Sequence, residues 1–327
     1  AQRIARAAAD LATALDADGE AAGEAGRLAK CDLLTEMVGE FPELQGIMGG
    51  YYARGEGYPE AVARAIADHY RPAFAGDVLP GTAEGRAVAL ADRLDVLVGI
   101  FAIDQGPTGD KDPFALRRAA LGALRILIEA GLDLDLEDAL ARAARAYDPE
   151  LDAGAAVPAV FDFMMDRLRV YYTGHGYGGD LFEAVLARRP TRPLDFHARM
   201  HALQDFRERP EAASLVEANK RIRNILRKAA GAGGAPLDPA LLGDGAERDL
   251  AARIDGLAEA VSAAAAERDY AGALQRLAEL AAPLDRFFDD VMVMAEDERL
   301  RANRVALLER ARALFLVVAD ISQLQSG

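Results

Sequence analysis

Three residues of this 327-residue chain, Asp32, His69 and Asp92, form a candidate set for acid–base or metal chemistry. Each sits on or beside an apolar face of a predicted helix, separated from the others by loops. Carboxylates and an imidazole gathered in partly dry surroundings can hold a metal or move a proton. The plainer alternative makes the two aspartates surface or capping groups and His69 a satisfied helix-end histidine. Two basic runs suit a different chemistry. Lys220, Arg223 and Arg227, spaced i, i+3, i+7, fall on one helix face with Leu215, Ile222 and Leu226 opposite. Such a face suits a phosphate backbone, and equally a solvated face paired with acidic neighbours. In "GPTGDKDPFALRRAALGALRIL", Lys111 precedes a helix start and Arg117, Arg118 and Arg125 follow. A helix N-terminus favours anions and arginine binds phosphate bidentately. The alternative has Asp112 capping the helix while the arginines pair with local carboxylates.

Other chemistry finds no support. "GPTGDKDP" lacks P-loop spacing, and "GHGYGG" follows a helix, so it is no dinucleotide fingerprint. No Cys/His cluster has zinc spacing, and Cys31 has no histidine nearby in sequence. The single cysteine fits a reducing, cytoplasmic compartment. No apolar run approaches the roughly 20 residues of a membrane span. The start, "AQRIARAAADLATAL", reads as an amphipathic helix rather than a signal peptide. Without a starting Met, the chain reads as a fragment of something longer. The net charge of -15 disfavours a nucleic-acid partner in sum, but local patches govern steering.

These residues need helices to position them. Hydrophobic residues make up 51% of the chain, aromatics only 6%, and Trp is absent, which favours helix over sheet. Helical periodicity runs throughout, with no convincing period-two strand. The spacing predicts a helix over Ala21–Gly39, with Leu28, Cys31, Thr35 and Val38 on one face. "GEFPELQGIMGGYYARGEGYPE" reads as a long loop-like break. The next helix carries Val62, Ile66 and His69 on one side. Thr82 caps another, with Leu90, Leu94, Leu97 and Phe101 facing a core. Asp112-Pro113 opens the arginine helix and Gly131 stops it. Pro210 opens a helix ending in "KRIRNILRKAAGAGG", whose Gly/Ala tail reads as a linker. The final helix turns Leu300, Leu307, Leu314 and Val318 inward.

Several long segments resemble one family. "KCDLLTEMVGEFPELQGIMGGYYA", "ALADRLDVLVGIFAI", "PTGDKDPFALRRAALGALRILIE", "DFMMDRLRVYY", "KRIRNIL" and "FFDDVMVMAEDERLRANRVALLERARALFLVVADISQLQ" closely resemble the beta subunit of bacterial tetrameric glycyl-tRNA synthetase. The likeness runs in order along essentially the whole chain and corresponds to the C-terminal part of that subunit. It implies an all-α protein: an HD-type helical domain over 1–135, a helical linker over 136–205, and an anticodon-binding helical bundle over 206–327. It implies glycine tRNA and the alpha subunit as partners and no membrane. ATP, Mg and glycine would be held by the alpha subunit, so this chain alone carries no catalytic residue, metal or cofactor. HD domains are named for a metal-binding His-Asp dipeptide, which this sequence lacks. Cys31-Asp32 stands in its place, with His69 and Asp92 at the later positions, which implies an HD fold reused for binding and packing. The competing readings are a metal-dependent phosphohydrolase using Asp32, His69 and Asp92, and a structural module joining subunits.

Given such a bundle, the carboxylates and arginines of "AEDERLRANR" lead us to expect anticodon reading near Glu296–Arg304. Glycine anticodons end in two cytosines, whose N4 amino group donates to a carboxylate. Asp297, Arg301 and Arg304 would be the readers. The alternative has Asp297 capping the last helix and Arg304 bracing the bundle.

Overall fold

A computed structural model describes residues 1–229, 236–243 and 245–325. From residue 230, the expected Gly/Ala linker lies outside them. The described chain is all-α; its one β feature is an isolated bridge between Thr108 and Lys111. Among the described residues, no helix is long and apolar enough to cross a membrane. The chain divides into two compact units: residues 1–171 with 191–194, and residues 172–190 with 195–327. The stretch 136–205, expected to be a connecting region, thus contributes to both.

The N-terminal unit is built around the helix Ala83–Ala102. Thr82 caps it by accepting from the Gly85 N–H, and Leu90, Leu94 and Leu97 are buried. Phe101 is only half-buried and meets the Phe163 ring at 5.2 Å. Helices Gln2–Ala14 and Gly19–Leu28 pack on this centre, the first burying Ile4, Ala8 and Leu11.

Three local expectations are corrected. The helix expected over Ala21–Gly39 ends at Leu28. A 3-10 turn, Cys31–Leu34, and a short helix, Glu36–Glu40, follow. Local side-chain bonding overrides the helical spacing: the Thr35 hydroxyl donates to Asp32 O at 2.7 Å and accepts from the Val38 N–H. Cys31 and Thr35 therefore share no helix face with Leu28, and Cys31 is exposed.

The presumed loop over 39–60 contains a helix, Ile47–Gly55. Gly49 and Gly50 serve close packing rather than a turn. A Cβ on Gly49 would lie 2.8 Å from Ile66 Cγ2, and one on Gly50 2.9 Å from Ala63 O. Both obstacles belong to the neighbouring helix Glu60–Asp68 or its side chains.

The arginine helix begins at Leu116 rather than at Pro113, because Ala115 is left-handed at φ 55. Asp112 still acts as the cap, accepting from the Leu116 and Arg117 N–H groups at 2.8 and 3.0 Å. Gly131, at φ 66, ends the helix as expected.

The C-terminal unit is a helical bundle. Helix Ala212–Lys228 buries Leu215, Val216 and Ile222; Ala246–Ala266 buries Leu250, Ile254 and Val261; Ala281–Asp290 buries Leu284 and Phe287. The last long helix, Glu298–Leu316, buries Leu307, Leu308 and Phe315. Leu314 and Val318 are buried as expected, whereas Leu300, in the first turn, is half-buried.

Candidate nucleic-acid surfaces and a buried polar pocket

The structure gathers Asp32, His69 and Asp92 in the N-terminal unit and leaves Cys31 outside. Asp32 is buried, and its Oδ2 accepts from the Gly46 and Gly49 N–H groups at 2.6 and 3.0 Å. His69 is fully buried at the end of its helix, with Nδ1 2.6 Å from Ile66 O. Asp92 pairs instead with Lys30, at 2.8 Å, and the Lys30 ammonium lies 4.0 Å over the Tyr70 ring. Burial, then the Lys30 charge, pulls the His69 pKa down to about 4, so the imidazole stays neutral.

Asp32 Oδ1 and His69 Nε2 are buried with no hydrogen-bond partner. The donor set does not suit a metal ion, since Asp92 is neutralised by Lys30 and Asp32 Oδ2 is committed to backbone. Among the described residues, no group of three or more His, Cys, Asp or Glu is placed to hold one. Arg93, beside Asp92, is buried and gives its guanidinium to the carbonyls of His69, Ala89, Tyr70 and Pro72. It holds the segment 69–72 in place.

The second arrangement is a cleft of about 300 Å³ whose lining includes Phe74, Arg117, Arg118, Arg125 and Arg167. Two of these arginines are committed to the fold. Arg125 pairs with Glu129 at 2.7 Å and donates to Asp77 O, and Arg117 donates to Gly109 O. Arg167 lies 5.6 Å over the Phe163 ring, and its Nε is buried without a partner. Arg118 is exposed and also lines the neighbouring cavity with Tyr70, Asp92 and Arg93. Phe74, 66% exposed, adds an aromatic face. Lys111 is exposed in the loop before the helix. The cleft combines cations with an open ring, the pairing that holds a phosphate beside a stacked base.

On helix Ala212–Lys228 the expected stripe is real but uneven. Lys220 pairs with Glu217 at 3.0 Å, Arg223 is half-buried, and Arg227 is exposed with Asn224 at 3.4 Å. Opposite them Leu215 and Ile222 are buried and Leu226 is half-buried. Arg221, which the spacing did not single out, lies 4.3 Å over the Phe288 ring.

At Glu296–Arg304 the residues expected to read bases also have positions in the fold. Asp297 caps its helix, accepting from the Arg299 and Leu300 N–H groups at 2.8 and 3.2 Å. Arg304 pairs at 2.7 Å with Glu247, whose side chain is 4% exposed, and donates to Met292 O. Arg301 donates to Ala295 O. Together the two arginines clamp the segment 291–297, which exposes Met292 and Met294. The sequence did not single out Lys30, Tyr70, Arg93 or Arg167. Arg93 directly follows Asp92 and Lys30 stands two residues before Asp32, and that proximity was the available signal.

Residues 1–187 match the family described as glycyl-tRNA synthetase beta subunit, and residues 215–318 match the DALR anticodon binding domain. The chain is 52% identical over 324 residues to the glycine–tRNA ligase beta subunit of Aeromonas salmonicida. It is 51% identical over 326 residues to that of Marinobacter nauticus, and 50% identical over 325 to that of Chromohalobacter salexigens. Each alignment covers 99% of this chain and 47% of the relative, so the chain spans about half the length of the curated relatives it matches.

Proposed function

Because the chain belongs to the glycyl-tRNA synthetase beta-subunit family, we propose that it is the tRNA-holding, C-terminal part of such a subunit. In this reading it binds glycine tRNA, including its anticodon, so that an alpha subunit can charge it. ATP, Mg and glycine are handled on that alpha subunit, and this chain contributes no step of adenylation. Both subunits work in the cytoplasm. The observation that carries the reading is the match of residues 215–318 to an anticodon-binding domain.

The geometry suggests a division of labour. Arg118, with exposed Lys111 in the loop before its helix, and the Arg223–Arg227 face with Lys220 supply phosphate contacts that position RNA without reading sequence. Arg301 and Arg304 act as positioning residues. Their bonds to Ala295 O and Met292 O hold the segment 291–297 so that Met292, Met294 and Glu296 can face unstacked anticodon bases. A carboxylate there accepts from the cytosine N4 amino group. Asp297 fixes the helix start behind it. In the N-terminal unit the Lys30–Asp92 pair occupies what would be an HD-type pocket, which supports an HD fold reused for binding and packing.

A binding titration tests this, with glycine tRNA set against the same tRNA carrying a swapped anticodon. Tighter binding of the matched tRNA is expected. Equal affinity would leave a module that joins subunits. ATP–pyrophosphate exchange by the purified chain alone would overturn the non-adenylating part.

A further inference from the structure

Three of the chain's four histidines, His175, His197 and His201, fall close together in the C-terminal unit, and nothing in tRNA binding calls for them. His197 and His201 stand one turn apart on helix Pro193–Arg207, with their Nε2 atoms 3.1 Å apart. His197 Nδ1 lies 2.9 Å from the Tyr172 hydroxyl, and the Tyr177 hydroxyl lies 3.1 Å from His201 Nε2. Tyr177 belongs to the Gly-rich "GHGYGG" stretch.

We infer that His197 and His201 form a chelating site for a divalent transition metal such as Cu, Ni or Zn. The argument begins with distance. Two nitrogens 3.1 Å apart, each about 2.0–2.1 Å from a metal, subtend roughly 95–100° at it, between the octahedral and tetrahedral angles. Tautomer chemistry agrees. When His197 Nδ1–H donates to the Tyr172 oxygen, its Nε2 carries the lone pair that a metal needs. Without metal, His201 Nε2–H donates to that lone pair. On binding, the His201 proton moves to Nδ1 and both Nε2 atoms face the ion.

The base of the site is firm, because Tyr172 is buried and stacks on Phe196, with ring centroids 5.8 Å apart. The outer side is open, since His201 is exposed. No group of three such side chains is placed for a metal among the described residues. The protein therefore supplies two ligands and water the remainder, which favours copper and nickel by the usual affinity order.

The test uses untagged, chelator-treated protein titrated with Cu, Ni and Zn salts against a chromophoric competitor. One equivalent should bind, in the order Cu above Ni and Zn. His197→Gln and His201→Gln should each weaken binding at least about tenfold. His69→Gln should leave it unchanged. His201 is exposed, so its variant keeps the fold, which circular dichroism checks. Copper EPR should show two equatorial nitrogens in the wild type and one in either variant. Unchanged affinity in both variants, or no nitrogen coupling from these imidazoles, overturns the site. None of these readouts depends on RNA.

Discussion

Arg118 in the N-terminal unit and Arg304 in the C-terminal unit carry the same charge on helices of similar composition, yet their surroundings differ. Arg118 is exposed at the rim of two cavities. Arg304 is inward-facing, tied to buried Glu247 and to the Met292 carbonyl. A guanidinium bound to a buried carboxylate cannot leave for a phosphate without stranding that carboxylate. One that stands in solvent gives up only hydration. The difference separates arginines free to meet a phosphate from those that only shape the surface.

The comparison breaks most directly at Arg304. Arg304→Ala should destabilise the C-terminal unit by about 3–5 kcal/mol, because Glu247 keeps its charge in a dry site. Glu247 also accepts from the Gly243 N–H at 3.0 Å, which survives the change but cannot neutralise it. Combining Arg304→Met with Glu247→Leu should recover most of the loss. Urea denaturation measures both. A single variant as stable as the wild type would return Arg304 to the candidates for direct RNA contact.

The buried pocket of the N-terminal unit offers a second contrast, because there a buried polar group lacks a full set of partners. His69 is held neutral with a pKa of about 4, below the ordinary 6.5. Between those values the unfolded chain takes up a proton that the folded one refuses, so stability falls as pH drops from 6.5 towards 4. The loss should reach about 2–3 kcal/mol by pH 4.5. Carboxylates elsewhere add their own acid sensitivity, so the measurement is a difference. His69→Leu should lose less stability over that range than the wild type. Parallel pH curves would mean that His69 ionises freely, and that Lys30 and Arg93 do not govern the pocket.

The all-α class and several caps were legible in the sequence because they depend on local spacing. Thr82 and Asp297 have short polar side chains just ahead of periodic apolar runs, and both cap as that position requires. The helix Ile47–Gly55 was not legible, since glycines that permit close packing look like glycines that make loops. The break after Leu28 was hidden for another reason. Asp32 is drawn inward by the N–H groups of Gly46 and Gly49, a contact between segments that no window of spacing contains. The candidate surfaces followed the same divide. The stripe on Ala212–Lys228 could be read from periodicity, whereas the pairing of Arg304 with Glu247 spans 57 residues.

Asp297 lies between the two kinds of residue. Asp297→Ala removes a cap worth about 1 kcal/mol. It should also loosen the segment 291–297, whose far end Asp297 fixes. In the proposed reading, discrimination between matched and swapped anticodons should narrow while binding of the swapped tRNA stays nearly constant. An equal loss for both tRNAs would make Asp297 a contributor to general affinity, on the same footing as the phosphate-facing arginines.

The smallest expected effect on stability is at Arg118. Its exposure predicts that Arg118→Gln changes stability by less than about 0.5 kcal/mol. The consequence belongs to binding. One neutralised phosphate releases about 0.7–0.9 of a counterion, so the log–log slope of affinity against salt should become shallower by about that amount. In the proposed reading the contact is to backbone, so the loss should be the same for matched and swapped anticodons. Both conditions are needed to distinguish Arg118 from Arg304. A destabilising change at Arg304 weakens RNA binding by depleting folded protein, which leaves the salt slope of the folded fraction untouched. A phosphate contact changes the slope and leaves the fold alone. If Arg118→Gln keeps the wild-type slope, the cleft with Phe74 and Arg167 faces solvent or another protein, and the phosphate contacts fall to Arg223 and Arg227.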